Sequence, residues 1–419
     1  MPSRRLRRAL LAMAGLFSLG LLGWVAAVWW LEHRFLAAPA QSHIDTFMAQ
    51  RGVPGFSAAA AKHGAIIWSQ AFGYADLERK IPAAPAIRFR VHSVSKCLTA
   101  AALALLHQEG RLDLDVPIRR YVPSFPEKSH PITARQLASH RAGIRGYRDD
   151  SESINTRHYP TATASLEKFQ HDPLLFEPDT DSFYSSYGYV LLSAAIEGAT
   201  ADTFPDHMRR RIFERLGMHS TAEVGAREES AGYDDVTPYS TDGSRVLSPF
   251  NDYSNKWAGG GFSSTAEDLV LFGSAHFEGS FLKRETVRLF WTPRTPRWSP
   301  VGVAMDWMVL RDWRLRKMVF HFGAGSGGTS LLLLYPDQGT AIALLANLGH
   351  AKFSEQLVLG VARQFLPGGP TFFPEGLAAI AAAAWALYFW RRRFHPYSVR
   401  TSPASSGREN TDSSSNSPT

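Results

Sequence analysis

The sequence predicts an α+β protein built on one mixed sheet flanked by helices, in which the first and last strands come together. Three observations carry this expectation. The segment from Phe56 to Phe72 reads as two strands joined by a turn at Lys62-His63-Gly64. Near the far end, Thr329 to Tyr335 and Thr340 to Leu345 are apolar strands around Pro336-Asp337-Gln338-Gly339, a strong hairpin signal. Between these ends the regular stretches are helical. With 419 residues, 45% hydrophobic and 12% aromatic, the chain can bury a large core, which excludes a disordered or fibrous protein over most of its length.

Taken in order, residues 1–8 are a basic segment, and an uncharged apolar stretch follows from Ala9 to Leu31. At ~1.5 Å per residue this stretch is long enough to cross a bilayer core of about 30 Å. The four preceding arginines predict that this end stays cytoplasmic and that the body is exported. The alternative is a cleaved signal peptide, given the small residues of Ala38-Pro39-Ala40. The body runs over 41–365. Helical character is expected at Gln41 to Gln50, at Val94 to Gln108 with Gly110 closing the last turn, at Tyr187 to Gly198, at Thr203 to Leu216 and at Thr265 to His276. A second apolar segment, 372–390, follows the linker Leu366-Pro367-Gly368-Gly369-Pro370 and ends in Arg391-Arg392-Arg393. It is expected to return the chain to the cytoplasm; a terminal helix packed on the body is the competing reading. The rest of 391–419 is rich in serine, proline, asparagine and threonine and cannot support a core.

The net charge is +7, and Arg4, Arg5, Arg7, Arg8 and Arg391 to Arg393 account for all of it. The body is therefore electrically balanced, and no nucleic-acid partner is expected. A single cysteine, Cys97, excludes an intramolecular disulfide and a cysteine-rich metal site. It reads as a small buried apolar residue. Other machinery fails on context. Gly323-Ala324-Gly325-Ser326-Gly327-Gly328 matches G-x-G-x-x-G but precedes a strand instead of a helix, and there is no H-E-x-x-H, P-loop lysine or G-x-S-x-G elbow.

One motif does carry chemistry. In S-x-x-K on a helix, hydroxyl and amine share a face one turn apart, so the lysine can take the serine proton. Three copies occur, at Ser93–Lys96, Ser165–Lys168 and Ser280–Lys283. Only the first opens a long amphipathic helix directly after an extended segment; the other two are expected on solvated surface. An N-cap serine with an exposed lysine is the bland alternative for Ser93.

The stretch Phe89-Arg90-Val91-His92-Ser93-Val94-Ser95-Lys96, then Glu109 to Asp115, Ile132 to Leu137 and Ser139-His140-Arg141-Ala142-Gly143-Ile144, resembles the serine beta-lactamase and penicillin-binding protein superfamily, in its class C-like branch. Phe183 to Tyr189, Lys256 to Thr265 and His321-Phe322-Gly323 are similar to the mitochondrial serine beta-lactamase-like proteins and their bacterial relatives. The resemblance implies a beta-lactamase/transpeptidase-like fold, with a mainly antiparallel sheet and a helical subdomain. It implies Ser93 as nucleophile, Lys96 with Tyr184 as the general base pair, and a third motif at His321. Ser186, Gly323 and Ala324 would line the binding and oxyanion side, with the N–H groups of Ser93 and Ala324 as donors.

Two departures bear on substrate. The second motif is Tyr184-Ser185-Ser186 where the family commonly has Tyr-x-Asn, a pattern that Tyr253-Ser254-Asn255 fits literally. The third motif has His321-Phe322 where the family has Lys-Thr, so a permanent cation becomes a conditional one and a hydroxyl donor is lost. The histidine could hold an anion, shuttle a proton or only pack. These losses should weaken recognition of a beta-lactam or terminal D-alanine carboxylate. The expectation is a membrane-anchored serine hydrolase needing no cofactor or metal, acting as a peptidase, amidase or esterase on a small-molecule, peptide or ester substrate from the extracytoplasmic side. The alternatives are a catalytically weak binding or scaffolding protein, a beta-lactamase, or a D-alanyl-D-alanine carboxypeptidase. Oligomeric state is left open.

Overall fold

The computed structural model describes residues 4–34, 38–224, 235–241, 245–247, 251–295 and 301–366. Apolar residues on both faces of nearly every central strand demand a sheet covered on both sides. The eight strands are β1 (Gly55–Lys62), β2 (Ala65–Asp76), β3 (Ile81–Pro82), β4 (Gly302–Val303), β5 (Met308–Arg311), β6 (Lys317–Gly325), β7 (Gly328–Tyr335) and β8 (Thr340–Ala346). Their order is β3-β2-β1-β8-β7-β6-β5-β4. The first and last long strands meet at the centre, with Phe56 opposite Ala346. Every ladder of this sheet is antiparallel, because all neighbours other than β1 and β8 are joined by short turns with no room for a crossover helix. The mixed sheet expected from the sequence is thus sharpened to an antiparallel one.

The helices that matter to the site are α1 (Arg4–Arg34), α2 (Ala40–Arg51), α3 (Val94–Gln108), α4 (Ala134–Ala138), α5 (Ser186–Thr200), α6 (Ala266–Glu278) and α7 (Glu355–Phe365). Strand alternation assigns the two faces. Ala59, Ala61, Leu332, Leu334, Ala341 and Ala343 point into a core shared with α3, α5 and α6. Phe56, Ala58, Ala60, Leu333, Ile342 and Leu344 point the other way, into a core closed by Ile44 and Phe47 of α2 and Val361 of α7. Each fully buried leucine or phenylalanine contributes on the order of 1.5–3 kcal/mol. On α6, Gly273 lets the helix come close: a Cβ there would lie 2.5 Å from Leu334 Cδ2.

The described residues divide into two units, one holding the helix residues up to Ala26 and the other, from Ala27 to Leu366, holding the sheet and every site residue discussed below. The first apolar segment is helical throughout α1. Among the described residues, however, no helix is long and apolar enough to cross a membrane. The segment 372–390 lies outside the described residues. Of the two flanking membrane helices expected from the sequence, the first is a helix that falls short of a membrane span and the second is not among the described residues.

Candidate active site

The N-terminus of α3 is aimed by the short strand Phe89–Arg90, which pairs with Phe262–Ser264. At His92 the backbone turns through the left-handed region (φ 45°), and Ser93 follows as the N-cap. Alanines and leucines, the best helix formers, then carry α3 through the core, from Val94 to Leu106 without an exposed residue, to a stop before left-handed Gly110 (φ 70°). Because α3 is central, the lysine one turn after Ser93 is carried inward. Lys96 is fully buried. Its Nζ lies 3.1 Å from Ser93 Oγ and 2.6 Å from the Gly259 carbonyl. It also faces the rings of Tyr184, at 4.8 Å, and Tyr189, at 5.8 Å. Burial pushes its pKa down to about 8, against a smaller upward pull from Asp306.

Tyr184 arrives on the segment just before α5, whose N-terminus is capped by Ser185 Oγ accepting the Gly188 N–H at 3.0 Å. Although 47% of Tyr184 is open to solvent, its hydroxyl end is the enclosed part. Burial and then Asp306 push the phenol well above its ordinary range, with the hydrogen bond to Ser93 acting in the opposite direction. Tyr184 is thus held as a phenol, while Lys96 is the group able to exchange a proton near neutrality. Ser186 begins α5, and its backbone carbonyl faces Gly259: a Cβ there would lie 3.3 Å away.

On the opposite side, β5 pairs with β6 only as far as Phe320, opposite Met308. From His321 to Gly325 β6 continues beyond its pairing with β5, and at Gly323 it lies against the start of α3. Gly323 is required for this approach. A Cβ there would lie 2.2 Å from the Val91 carbonyl, 2.3 Å from Ser330 Oγ and 3.1 Å from Ser93 N. Ala324, the next residue, is exposed on the strand. Ser330 Oγ donates to the Val91 carbonyl at 2.6 Å and ties β7 to the segment before Ser93. Gly323→Ala is expected to force β6 away from Ser93 and to cut the rate of Ser93 acylation at least tenfold, read as the rate of labelling by a serine-directed phosphonate.

The structure therefore brings Ser93, Lys96, Tyr184 and Gly323 together, with Ala324 following Gly323 on the strand. His321 lies behind them, 3% exposed, with Nδ1 2.6 Å from the Phe322 carbonyl and Nε2 3.4 Å from Asp306 Oδ2. Both ring nitrogens are turned to internal acceptors, so the ring is not presented to a substrate anion. Phe322 points outward and packs edge-on to Phe320.

Tyr253 is placed elsewhere. It is 2% exposed, with Arg90 and Lys256 over its ring at 5.2 and 4.5 Å. Ser280 and Lys283 are exposed, as expected, and lie in the turn after α6. Ser165, expected on the surface, is instead buried and donates to the Ala162 carbonyl at 2.7 Å, because the short helix Ala162–Ser165 packs inward. Cys97 is fully buried, and burial pushes its thiol well up, which leaves it inert.

Two residues escaped the sequence reading. His140 and Asp306 are both buried and both have left-handed backbones, at φ 60° and 64°. His140 Nε2 is 3.0 Å from Asp306 Oδ1, and its ring lies 4.5 Å from that of Tyr184. His140 stands inside the Ser139–Ile144 stretch quoted above, a signal that could have found it. Asp306 had none.

A buried lysine on a serine hydroxyl, a phenol beside both, and a strand opposite are an arrangement in which the hydroxyl can be activated as a nucleophile. The Beta-lactamase family model matches residues 40–363, and the chain belongs to that family. It is 30% identical to the mitochondrial serine beta-lactamase-like protein LACTB of Homo sapiens, over 68% of this chain and 70% of that one. It is 26% identical to penicillin-binding protein 4* of Bacillus subtilis, over 78% and 77% of the two chains. Among solved structures, the D-amino acid amidase from Ochrobactrum anthropi is 25% identical, with a TM-score of 0.64 over 78% of this chain and 99% of that chain.

Proposed function

We propose that this protein is a serine hydrolase that forms an acyl-enzyme at Ser93 and acts on amide, peptide or ester bonds. The observation that carries the reading is the 3.1 Å contact between Ser93 Oγ and a fully buried Lys96 Nζ. In the neutral state Lys96 takes the Ser93 proton as Oγ attacks the carbonyl carbon. Tyr184, a phenol between Lys96 and the cleft, relays that proton to the leaving group when the carbon–heteroatom bond breaks. The N–H groups of Ser93 and Ala324 receive the oxyanion. Water then repeats the sequence on the ester of Ser93 and releases the acid.

A substrate carboxylate gains no fixed lysine at the third motif, and His321 is turned inward. This favours amides and esters without a terminal carboxylate over beta-lactams and D-alanyl-D-alanine, and the likeness to a D-amino acid amidase points the same way. The test is labelling of the purified protein with a fluorophosphonate and mass mapping of the adduct. Modification of Ser93 is the expected result, and an unmodified Ser93 under conditions that label other serine hydrolases would overturn the reading. Tyr184→Phe is expected to lower turnover by about 10²- to 10⁴-fold. Tyr253→Phe, away from Lys96, should change it little. A crippled Tyr253 variant beside an active Tyr184 variant would reassign the second motif.

Anchoring belongs to the same proposal. Leu16, Phe17 and Leu19 of α1 are 71%, 75% and 63% exposed, an apolar helix surface that a membrane would cover. With the arginine clusters retained in the cytoplasm, the catalytic body lies outside. Protease treatment of intact spheroplasts should digest the body; protection of the body with loss of the 401–419 tail would refute this orientation.

A further inference from the structure

Asp306 sits in the turn between β4 and β5, fully enclosed, with no lysine or arginine as ion-pair partner among the described residues. The groups facing it come from every element around the centre: Lys96 and Cys97 of α3, His140 beyond α4, Tyr184 before α5, Tyr189 within it, and His321 of β6. Donor and acceptor roles follow from the contacts. His140 Nδ1 accepts the Ser185 N–H at 3.2 Å, so its proton is on Nε2 and is donated to Asp306 Oδ1 at 3.0 Å. His321 Nδ1 lies 2.6 Å from the Phe322 carbonyl, and its Nε2 lies 3.4 Å from Asp306 Oδ2. Burial alone would raise the pKa of the Asp306 carboxyl, but the neighbouring His321 and the His140 hydrogen bond outweigh it and hold the carboxyl below its ordinary range.

Through these contacts one carboxylate joins the two sides of the cleft. His140 holds the backbone of Ser185 and packs on Tyr184, and His321 belongs to the strand that lies against Ser93. We propose that Asp306 is a positioning residue of this centre: it ties the helical side to the sheet edge through His140 and His321, and sets beneath Lys96 the fixed negative charge against which the lysine gains its proton. The proposal rests on the Ser93–Lys96 reading above. It also gives His321 a task different from that of the family lysine. The histidine abuts an internal carboxylate and does not face the substrate.

The test uses the full chain and the pH dependence of the second-order rate of fluorophosphonate labelling at Ser93. Asp306→Asn keeps the shape and removes the charge. With less support for the ammonium, the rising limb is expected to move about one pH unit lower, and its plateau to fall as His140 and Tyr184 lose their register. His321→Gln leaves the Asp306 charge in place but removes the ring between Asp306 and the strand edge, and should lower the plateau without moving the limb. A limb that moves in Asp306→Asn and stays in His321→Gln, both with wild-type melting temperatures, cannot come from packing alone. If Asp306→Asn does not fold, the His321→Gln plateau still decides, and an unchanged plateau overturns the tie. An immobile limb in Asp306→Asn with labelling intact would overturn this proposal and leave the nucleophile assignment standing, whereas an unlabelled wild type would remove both. Cys97, Asp306 and His321 also place a ligand atom each within 4.8 Å of one another. A stoichiometric transition metal in the purified protein, lost from Asp306→Asn, would overturn the proposal in favour of a metal site.

Discussion

Ser93→Ala is expected to lower turnover by about 10⁴- to 10⁶-fold, the loss that follows when an enzyme of this kind is left without its nucleophile. The serines of the other two S-x-x-K copies are not built for the task. Ser165 is buried and bonded to a carbonyl of its own short helix, and Ser280 stands in an exposed turn. Activity that remains would come from the strand edge and the cleft acting on bound water. The variant should fold normally, since the Ser93 hydroxyl is half-open and its bond to Lys96 contributes only on the order of 1 kcal/mol. The measurement is kcat/KM on a chromogenic ester and an amino acid amide, with intact-mass detection of the trapped acyl-enzyme. An adduct that persists in Ser93→Ala, or a rate within tenfold of wild type, would show that the centre has been misplaced.

Local pattern made part of this centre readable, and long-range closure hid the rest. Ser93 and Lys96 are one helical turn apart, and the helix announces itself through Ala100 to Leu106 and the glycine beyond it. The β1–β2 and β7–β8 hairpins are equally local, with turns at His63-Gly64 and Pro336 to Gly339. β4 and β5 were missed because two- and four-residue strands give no alternation to detect. Helix α7 was missed although its apolar face is regular; only the β1–β8 face it covers explains it. The His140–Asp306–His321 contacts join residues far apart in sequence, and no spacing rule reaches across that distance. Tyr184 could be preferred to Tyr253 from its distance to Ser93 along the chain, but only the fold shows Tyr253 enclosed between Arg90 and Lys256. For His321 the motif left an anion hold, a proton shuttle or packing open, and the fold turns its two ring nitrogens toward the Phe322 carbonyl and Asp306.

Lys96→Met is expected to cost about as much as loss of the nucleophile, on the order of 10⁴-fold or more, because a serine hydroxyl without its base is a poor nucleophile near neutral pH. Methionine matches the length of the lysine stem and suits an enclosed site, so the variant separates chemistry from packing. The sign of the pH dependence identifies the role. Burial brings the Lys96 pKa down to about 8, so the ammonium dominates below that value and the amine above it. If the amine accepts the Ser93 proton, the wild-type acylation rate rises with pH, bends near 8 and levels off. If the ammonium acts only as a fixed charge on the oxyanion, the rate is flat at low pH and falls through the same value. Tyr184 titrates too high to produce either bend, so Tyr184→Phe should lower the plateau and leave the bend in place. Lys96→Met should flatten the profile. A Lys96→Met protein that keeps a bend near pH 8 would transfer the base to another group, and Lys256, brought down to about 7 by burial and by Arg90, would be the first to examine.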